Sequence, residues 1–400
     1  MSASPASLHS TRALLALGIG GFAIGTGEFV IMGLLPEVAH DVGIGVPTAG
    51  GLISAYALGV AVGAPLLAVL TAHWARRTLL VALMAFYAVA NVATALMPGA
   101  LAVGLTRLAA GLPHGTYFGV AALVAAALSP PDRRARAVGL VMMGLATATL
   151  IGVPIAAWIG QQLGWRAAFG FVGAIALLAA LLIRGALPPL PAEAGAGPWR
   201  ELGALARPQV WLTLGIAGIG FGGMFCVFSY IKPTLVDVTG LTLAQVPPAL
   251  SLFGLGAIAG NLVGARLADR ALLPTIGGTL VYAALLLAGF GLLAHHVPTA
   301  LLALFGLGGI VALGPALQIR LMDVAGDAQT LAAALNHSAF NIANALGAWL
   351  GAAAITAGWG WTSLGPVGAV LAVGGLAVFG MSMLLQRSVA ARRSSAGARA

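Results

Sequence analysis

Twelve stretches of about twenty mainly apolar residues follow one another along this chain, separated by short connections. They fall at 14–36, 48–70, 78–97, 101–128, 135–160, 166–187, 209–233, 245–268, 273–295, 298–321, 330–356 and 362–386. About 20 such residues cross the hydrocarbon core of a bilayer as a helix. Backbone polar groups in lipid must be satisfied within their own segment, so the helix is the spanning element these stretches allow. Only 7% of the 400 residues are charged, where soluble proteins carry about 25%. The chain therefore reads as an all-α integral membrane protein. Its first apolar run is too long for the core of a secretory signal and carries a glutamate, so it counts as the first span.

The basic residues orient the spans. With the N-terminus inside, Arg12, Arg76, Arg77, Arg133, Arg134, Arg136, Arg184, Arg200, Arg207, Arg266, Arg270, Arg320, Arg387, Arg392, Arg393 and Arg399 fall on the cytoplasmic side. Arg166 and Lys232 fall outside, and Arg107 lies within the fourth span. That asymmetry is a positive-inside signal placing both termini in the cytoplasm. The longest interior connection, "PPLPAEAGAGPWRELGALARP" (188–208), divides the spans six and six. It suggests a first bundle over 1–187, a cytoplasmic linker over 188–208 and a second bundle over 209–400 with a short basic tail.

The halves repeat. An offset of 197 residues lays Ser54 on Ser251, Leu58 on Leu255, Gly59 on Gly256, Gly63 on Gly260 and Leu70 on Leu267. An offset of 196 lays Gly164–Trp165 on Gly360–Trp361. Two parallel six-helix repeats around a site near the membrane midplane describe a secondary transporter.

Four stretches, "GTGEFVIMGLLPEVA" (Gly25–Ala39), "GLPHGTYFGV" (Gly111–Val120), "GGMFCVFSYIKPTL" (Gly222–Leu235) and "NHSAFNIANALGAWLG" (Asn336–Gly351), carry a family likeness across the whole chain. The sequence resembles the major facilitator superfamily, within it the bacterial twelve-span drug:proton antiporter family and its arabinose-efflux-like branch. The resemblance implies two pseudo-symmetric six-helix bundles. The superfamily motif G-x-L-x-D-R-x-G-R-R meets "AVLTAHWARR" (Ala68–Arg77), which keeps Leu70, Arg76 and Arg77 but has Ala72 at the aspartate and alanine at both glycines. The second-half copy "ARLADR" keeps Leu267, Asp269 and Arg270. By resemblance, Arg76, Arg77, Asp269 and Arg270 belong to a cytoplasmic gate whose first-half form has lost its aspartate. The physical alternative leaves Arg76 and Arg77 as positive-inside anchors. "LTRLAAGLPHG" in span four resembles the motif that places an arginine, here Arg107, within the membrane. "GLATATLIGVPIAAWIG" in span five is similar to the glycine–proline antiporter motif, with Gly144, Gly152, Pro154 and Gly160 in place. The motif implies export; on physics alone it is a close-packing surface with a bend.

Within these spans the polar residues stand out. Glu28 lies eight residues before Pro36, about 12 Å below the outer end of its helix, and Arg107 lies about 9 Å below the same surface on span four. The resemblance makes spans one, four, seven and ten line the central cavity, which brings the two groups together. Arg107, Gly111 and His114 are spaced i, i+4, i+7 and share a helical face. Ionisable groups inside a membrane are functional candidates because partners or water must offset their desolvation. Glu28, Arg107 and His114 are accordingly candidates for proton coupling, with Glu28 as carrier and Arg107 tuning it; a fixed pair serving helix packing is the other reading. Glu37, Asp41 and Asp237 near the outer ends read as solvated. Span eleven carries Asn336 and a polar stripe of His337, Asn341 and Asn344, spaced i, i+4, i+7, and span seven offers Phe221, Phe225 and Phe228. With Tyr56 and Gln318 these are candidate substrate contacts, and helix packing explains the same residues.

Other chemistries find no support. The basic residues form no stripe with interleaved aromatics, so nucleic acid is not an expected partner. "GIGFGG" at Gly218 lies inside a span, no Walker lysine is present, and the lone Cys226 and seven histidines show no metal-site spacing. No cofactor or metal is expected. The sequence reads as a transporter rather than an enzyme: a monomer in the bacterial inner membrane, exporting a small drug-like or sugar- or nucleoside-like solute in exchange for protons by alternating access. An uptake symporter or facilitator is the alternative, and a polytopic membrane enzyme or receptor is the alternative of another class.

Overall fold

The computed structural model describes residues 5–71, 73–130, 134–190, 206–325 and 329–397, and every regular element among them is helical. Eleven helical segments are long and apolar enough to cross a membrane, and one of them, Leu243–Leu293, has 51 residues. That segment makes two crossings. Ala271 in its middle is extended (φ −157°, ψ 82°), three residues before Pro274, which cannot continue the hydrogen-bond ladder. Gly256 and Gly260 on one limb line the same cavity as Gly278 and Tyr282 on the other, so the chain doubles back. The count of twelve spans follows.

The first four spans are Pro5–Asp41, Val46–Leu70, Arg76–Leu96 and Ala100–Ala127. The fifth runs from Arg134–Thr147 through a π-helical segment, Ala148–Gly152, into Val153–Leu163, and the sixth is Trp165–Ala186. The seventh is the most broken, with Pro208–Gly215, a π-helical Ile216–Gly220, Gly222–Phe228 and a further π-turn at Thr234–Val238. The tenth joins Val297–Gly309 to Leu313–Ala325 through a 3-10 turn; the eleventh is Gln329–Thr356 and the twelfth Leu364–Gly397. The first and last helices run beyond the apolar stretches that announced them. Most of the connection between the halves, 191–205, and Ala72 of the gate motif lie outside the described residues.

The internal repeat is reproduced contact for contact. A Cβ added to Gly59 would fall 2.9 Å from the carbonyl carbon of Leu108, and one added to Gly256 would fall 2.8 Å from that of Phe305. Both positions and both partners are related by the same 197-residue offset. The reverse contacts match as well: Gly111 abuts Val60 N at 2.9 Å and Gly308 abuts Ala257 N at 2.6 Å. Spans two and four, and spans eight and ten, thus close on each other through backbones that only glycine allows. The turns repeat too, with positive φ at Gly43 (72°) and Gly240 (79°), and at Gly164 (88°) and Gly360 (75°).

One apolar core, including Leu17, Ile24, Met84, Tyr117 and Val172, lies within the first six spans. The larger one is shared, running from Val30, Leu34 and Ile53 into Phe225, Phe228 and Tyr230. Contacts between the halves cluster from mid-depth to the face opposite the termini. Ser54 donates to the Ala345 carbonyl (3.2 Å), Tyr230 of the second half donates to the Pro47 carbonyl of the first (3.5 Å), with Gly50 pressed against the Tyr230 hydroxyl, and Lys232 pairs with Glu37.

Candidate functional site

Span one is seated by the motif glycines of span five. A Cβ on Gly144 would meet Phe22 N at 2.9 Å, one on Gly152 the Phe22 ring at 2.9 Å, and one on Gly160 the Leu34 side chain at 2.8 Å. Pro154 stands at the second position of the helix that continues the π segment, where it cannot donate to the ladder of the preceding turn. The three glycines thus pack on the helix that carries Glu28, Gly144 on its backbone and Gly152 and Gly160 on its side chains.

Glu28 is 4% exposed and Arg107 fully buried. The two approach, as their depths suggested, but their side chains form no ion pair. The Arg107 guanidinium instead donates to the main-chain carbonyls of Gly27 (2.8 Å) and Glu28 (3.5 Å). It lies over the rings of Tyr56 (4.4 Å) and Phe169 (5.3 Å). Depth along two helices fixes the level of a side chain but not its direction around the axis. The fork that a guanidinium presents, together with ring stacking, is what lysine lacks. Arg107→Lys is therefore expected to cut transport at least about tenfold with membrane insertion intact, the scale of one lost charge-assisted hydrogen bond of ~1.5–3 kcal/mol. Parental rates in vesicles carrying that variant would show that the charge alone suffices.

The carboxyl group of Glu28 faces His114, whose Nδ1 is 3.8 Å from its Oε2. The same Nδ1 is hydrogen-bonded to the Tyr56 hydroxyl at 3.1 Å. Asn344 of span eleven reaches toward the carboxyl group from the second half but stops short of a hydrogen bond, and both polar atoms of its amide are buried without a partner. His337, also on span eleven, stacks on Phe118 (5.4 Å between centroids) and meets His114 at 5.9 Å. Glu28, His114 and Tyr56 of the first half thus stand against Asn344 and His337 of the second.

The other candidates divide. Asn341 donates to the His337 carbonyl of its own helix (3.1 Å), and Asn336 donates to Gln318 of span ten (2.6 Å). Phe221, Phe225 and Phe228 form an aromatic cluster in which Phe225 and Phe228 close on Phe29 of span one, at 6.3 and 6.2 Å. The 197-residue offset lays Glu28 on Phe225, so the two halves present opposite chemistry at equivalent positions. Of the gate residues, Arg77 donates to the Leu187 carbonyl (3.2 Å), and Asp269 and Arg270 are exposed and join none of the ion pairs among the described residues.

Several residues escaped the sequence. Phe29 sits beside Glu28 and its ring is the first-half partner of the aromatic cluster. Glu37, expected to be solvated, pairs with Lys232, itself 2% exposed; a lysine flanked by apolar residues in "SYIKPTLV" was the available signal. Asp41 is exposed but holds Arg166 and the Trp165 indole (3.0 Å). Arg320, read as a cytoplasmic anchor, is buried and donates to Gln209 (3.3 Å) and Gln386 (3.1 Å).

Twelve spans in two related bundles, with buried ionisable groups where the bundles meet, define a secondary membrane transporter. The family model described as Major Facilitator Superfamily matches residues 17–347, and the chain belongs to that family, in its arabinose-efflux-like branch. It is 40% identical over 360 residues to the Inner membrane transport protein YdhP of Escherichia coli K12, covering 90% of this chain and 92% of that one. It is 36% identical to a Chloramphenicol resistance protein of Streptomyces lividans, covering 92% and 95%. The fold is similar to the crystal structure of a bacterial homolog of the human lysosomal transporter Spinster, with a TM-score of 0.71 at 18% identity over 96% and 94% of the two chains.

Proposed function

We propose that this chain exports a small, largely apolar solute from the cytoplasm across the bacterial inner membrane in exchange for protons. In this reading the termini are cytoplasmic, as the arginine bias asks, and the bundles over 1–187 and 209–400 rock about the site between them. The observation that carries the reading is Glu28: a carboxyl group 4% exposed, with no ion-paired cation, facing a histidine and an unpartnered amide of the other half. An ionised carboxylate without water or a paired cation is costly to bury. Its protonation is therefore tied to whether the halves are closed around it. With the face opposite the termini shut by Lys232–Glu37, Ser54–Ala345 and the Phe29 contacts, alternation requires those contacts to separate. Glu28 takes a proton on the outer side and gives it up on the inner side.

The solute class follows from what surrounds the site. Rings of Phe29, Phe221, Phe225 and Phe228 favour an apolar body, and the free amide atoms of Asn344 and the Asn341 carbonyl offer hydrogen bonds to a few polar groups. No charge in this set balances a phosphate. The name of the Streptomyces relative makes chloramphenicol, a neutral solute of this kind, the first probe. In inside-out vesicles with an acidic lumen, adding chloramphenicol or another neutral drug from a panel is expected to release the proton gradient through this protein. A strengthened gradient would indicate symport instead, and solute uptake without proton movement would indicate a facilitator. Either outcome overturns antiport.

A further inference from the structure

His114 Nδ1 is a single hydrogen-bonding site with two claimants on two different helices. Tyr56 of span two holds it at 3.1 Å, and Glu28 of span one waits at 3.8 Å. A ring nitrogen either carries a proton and donates or carries a lone pair and accepts, so it makes one strong hydrogen bond at a time. Two residues before Tyr56, Ser54 donates across the junction between the halves to the Ala345 carbonyl of span eleven. The arbitration at Nδ1 is therefore made next to the contact that closes the two halves.

We propose that Tyr56 is a positioning residue that converts the protonation of Glu28 into the closure of span two against span eleven, with His114 Nδ1 as the switch. The proposal rests on Glu28 as the proton carrier. In the resting state of this switch Nδ1 accepts from the Tyr56 hydroxyl at 3.1 Å, which assigns the ring proton to Nε2. When the Glu28 acid gives its proton to Nδ1, the ring becomes an imidazolium and the carboxyl group a carboxylate. The new N–H turns to that carboxylate, because a charge-assisted hydrogen bond is about twice as strong as a neutral one. The Tyr56 hydroxyl loses its acceptor and is left beside the Tyr87 hydroxyl of span three, which is engaged by the Ile24 carbonyl at 3.1 Å. Returning the proton to Glu28 restores the Tyr56 bond.

The groups that bear on this switch come from every element around it: Glu28 from span one, Tyr56 from span two, Tyr87 from span three, Arg107 on span four above the Tyr56 ring, and His337 from span eleven at 5.9 Å. The Arg107 stack is held by the ring of Tyr56, not its hydroxyl. Tyr56→Phe therefore removes the switch contact and spares the packing.

The test needs no solute. Spin labels at Gly51→Cys, where an added side chain meets nothing within 4 Å, and at the exposed Trp359→Cys report the separation of spans two and eleven at the face opposite the termini. The full chain is reconstituted in phosphatidylethanolamine–phosphatidylglycerol vesicles and the separation followed against pH. The parent is expected to change separation over a defined pH range, Glu28→Gln to lose the response, and Tyr56→Phe to lose it or move its midpoint by about one pH unit or more, a tenfold change in proton affinity. A parental profile in Tyr56→Phe overturns the proposal while leaving Glu28 as carrier. A parental profile in Glu28→Gln overturns the carrier assignment itself and this proposal with it. Should Tyr56→Phe fail to fold, His114→Asn, which keeps a hydrogen bond but takes no proton, is expected to abolish the response, and a parental profile there overturns the switch.

Discussion

Vesicles carrying Glu28→Gln are expected to build no solute gradient from a proton gradient, falling to the level of vesicles without the protein. The amide is nearly isosteric with the acid and keeps a polar group facing His114 Nδ1 at 3.8 Å, so insertion and packing survive. What disappears is the carboxyl group that brings the proton into the site. Exchange of solute down its own gradient needs no proton, so counterflow of radiolabelled chloramphenicol in the variant is expected to persist with both sides at equal pH. Loss of both activities would point to damaged packing; retention of both would remove Glu28 from the coupling scheme. The design separates the proton from the path. A parent whose transport is steep in pH and a variant whose residual exchange is flat would complete it.

The largest effect on folding is expected where spans two and four, and spans eight and ten, touch backbone to backbone. Gly111→Ala places a Cβ 2.9 Å from Val60 N and 3.0 Å from Gly59 Cα, and Gly308→Ala places one 2.6 Å from Ala257 N and 2.9 Å from Gly256 C. Those neighbours are main-chain atoms and can yield only if the helices part. Overpacking of this kind costs about 1–3 kcal/mol, with the absence of any flexible neighbour favouring the upper end. The gain from replacing a helical glycine is only about 0.5–1 kcal/mol. Gly119→Ala and Gly314→Ala, on the same spans but with nothing within 4 Å of the added carbon, should keep that gain and lose nothing. Thermal unfolding in detergent should therefore fall for the first pair and hold or rise for the second. Equal stability across all four would mean that the seams are looser than their distances imply.

Hydropathy made the spans legible because lipid leaves a chain few alternatives, and the 197-residue offset between Gly59 and Gly256 led to contacts that match in both halves. The seating of span one on Gly144, Gly152 and Gly160 was foreshadowed by the motif. Direction around a helix axis was not legible. Rise per residue put Arg107 level with Glu28, but only packing turns the guanidinium to the Gly27 carbonyl. Nor could sequence foresee that Tyr56, grouped with the solute contacts, shares His114 with Glu28, since the three belong to different spans. Lys232 and Arg320 were assigned to aqueous sides by their charge; both are buried because neighbours from other spans, Glu37 in one case and Gln209 with Gln386 in the other, supply their hydrogen bonds. The fold at Ala271 was unmarked at that residue, with Pro274 the nearest sign.

Equivalent positions of the repeat hold Glu28 in one half and Phe225 in the other, and Arg107 faces its own bundle through the Gly27 carbonyl. A duplicated scaffold has in this way been given two trades. In the proposed function one bundle keeps the energy source and the other most of the surface by which cargo is chosen. On that reading a change of cargo preference through the phenylalanines of span seven would leave the engine across the junction alone.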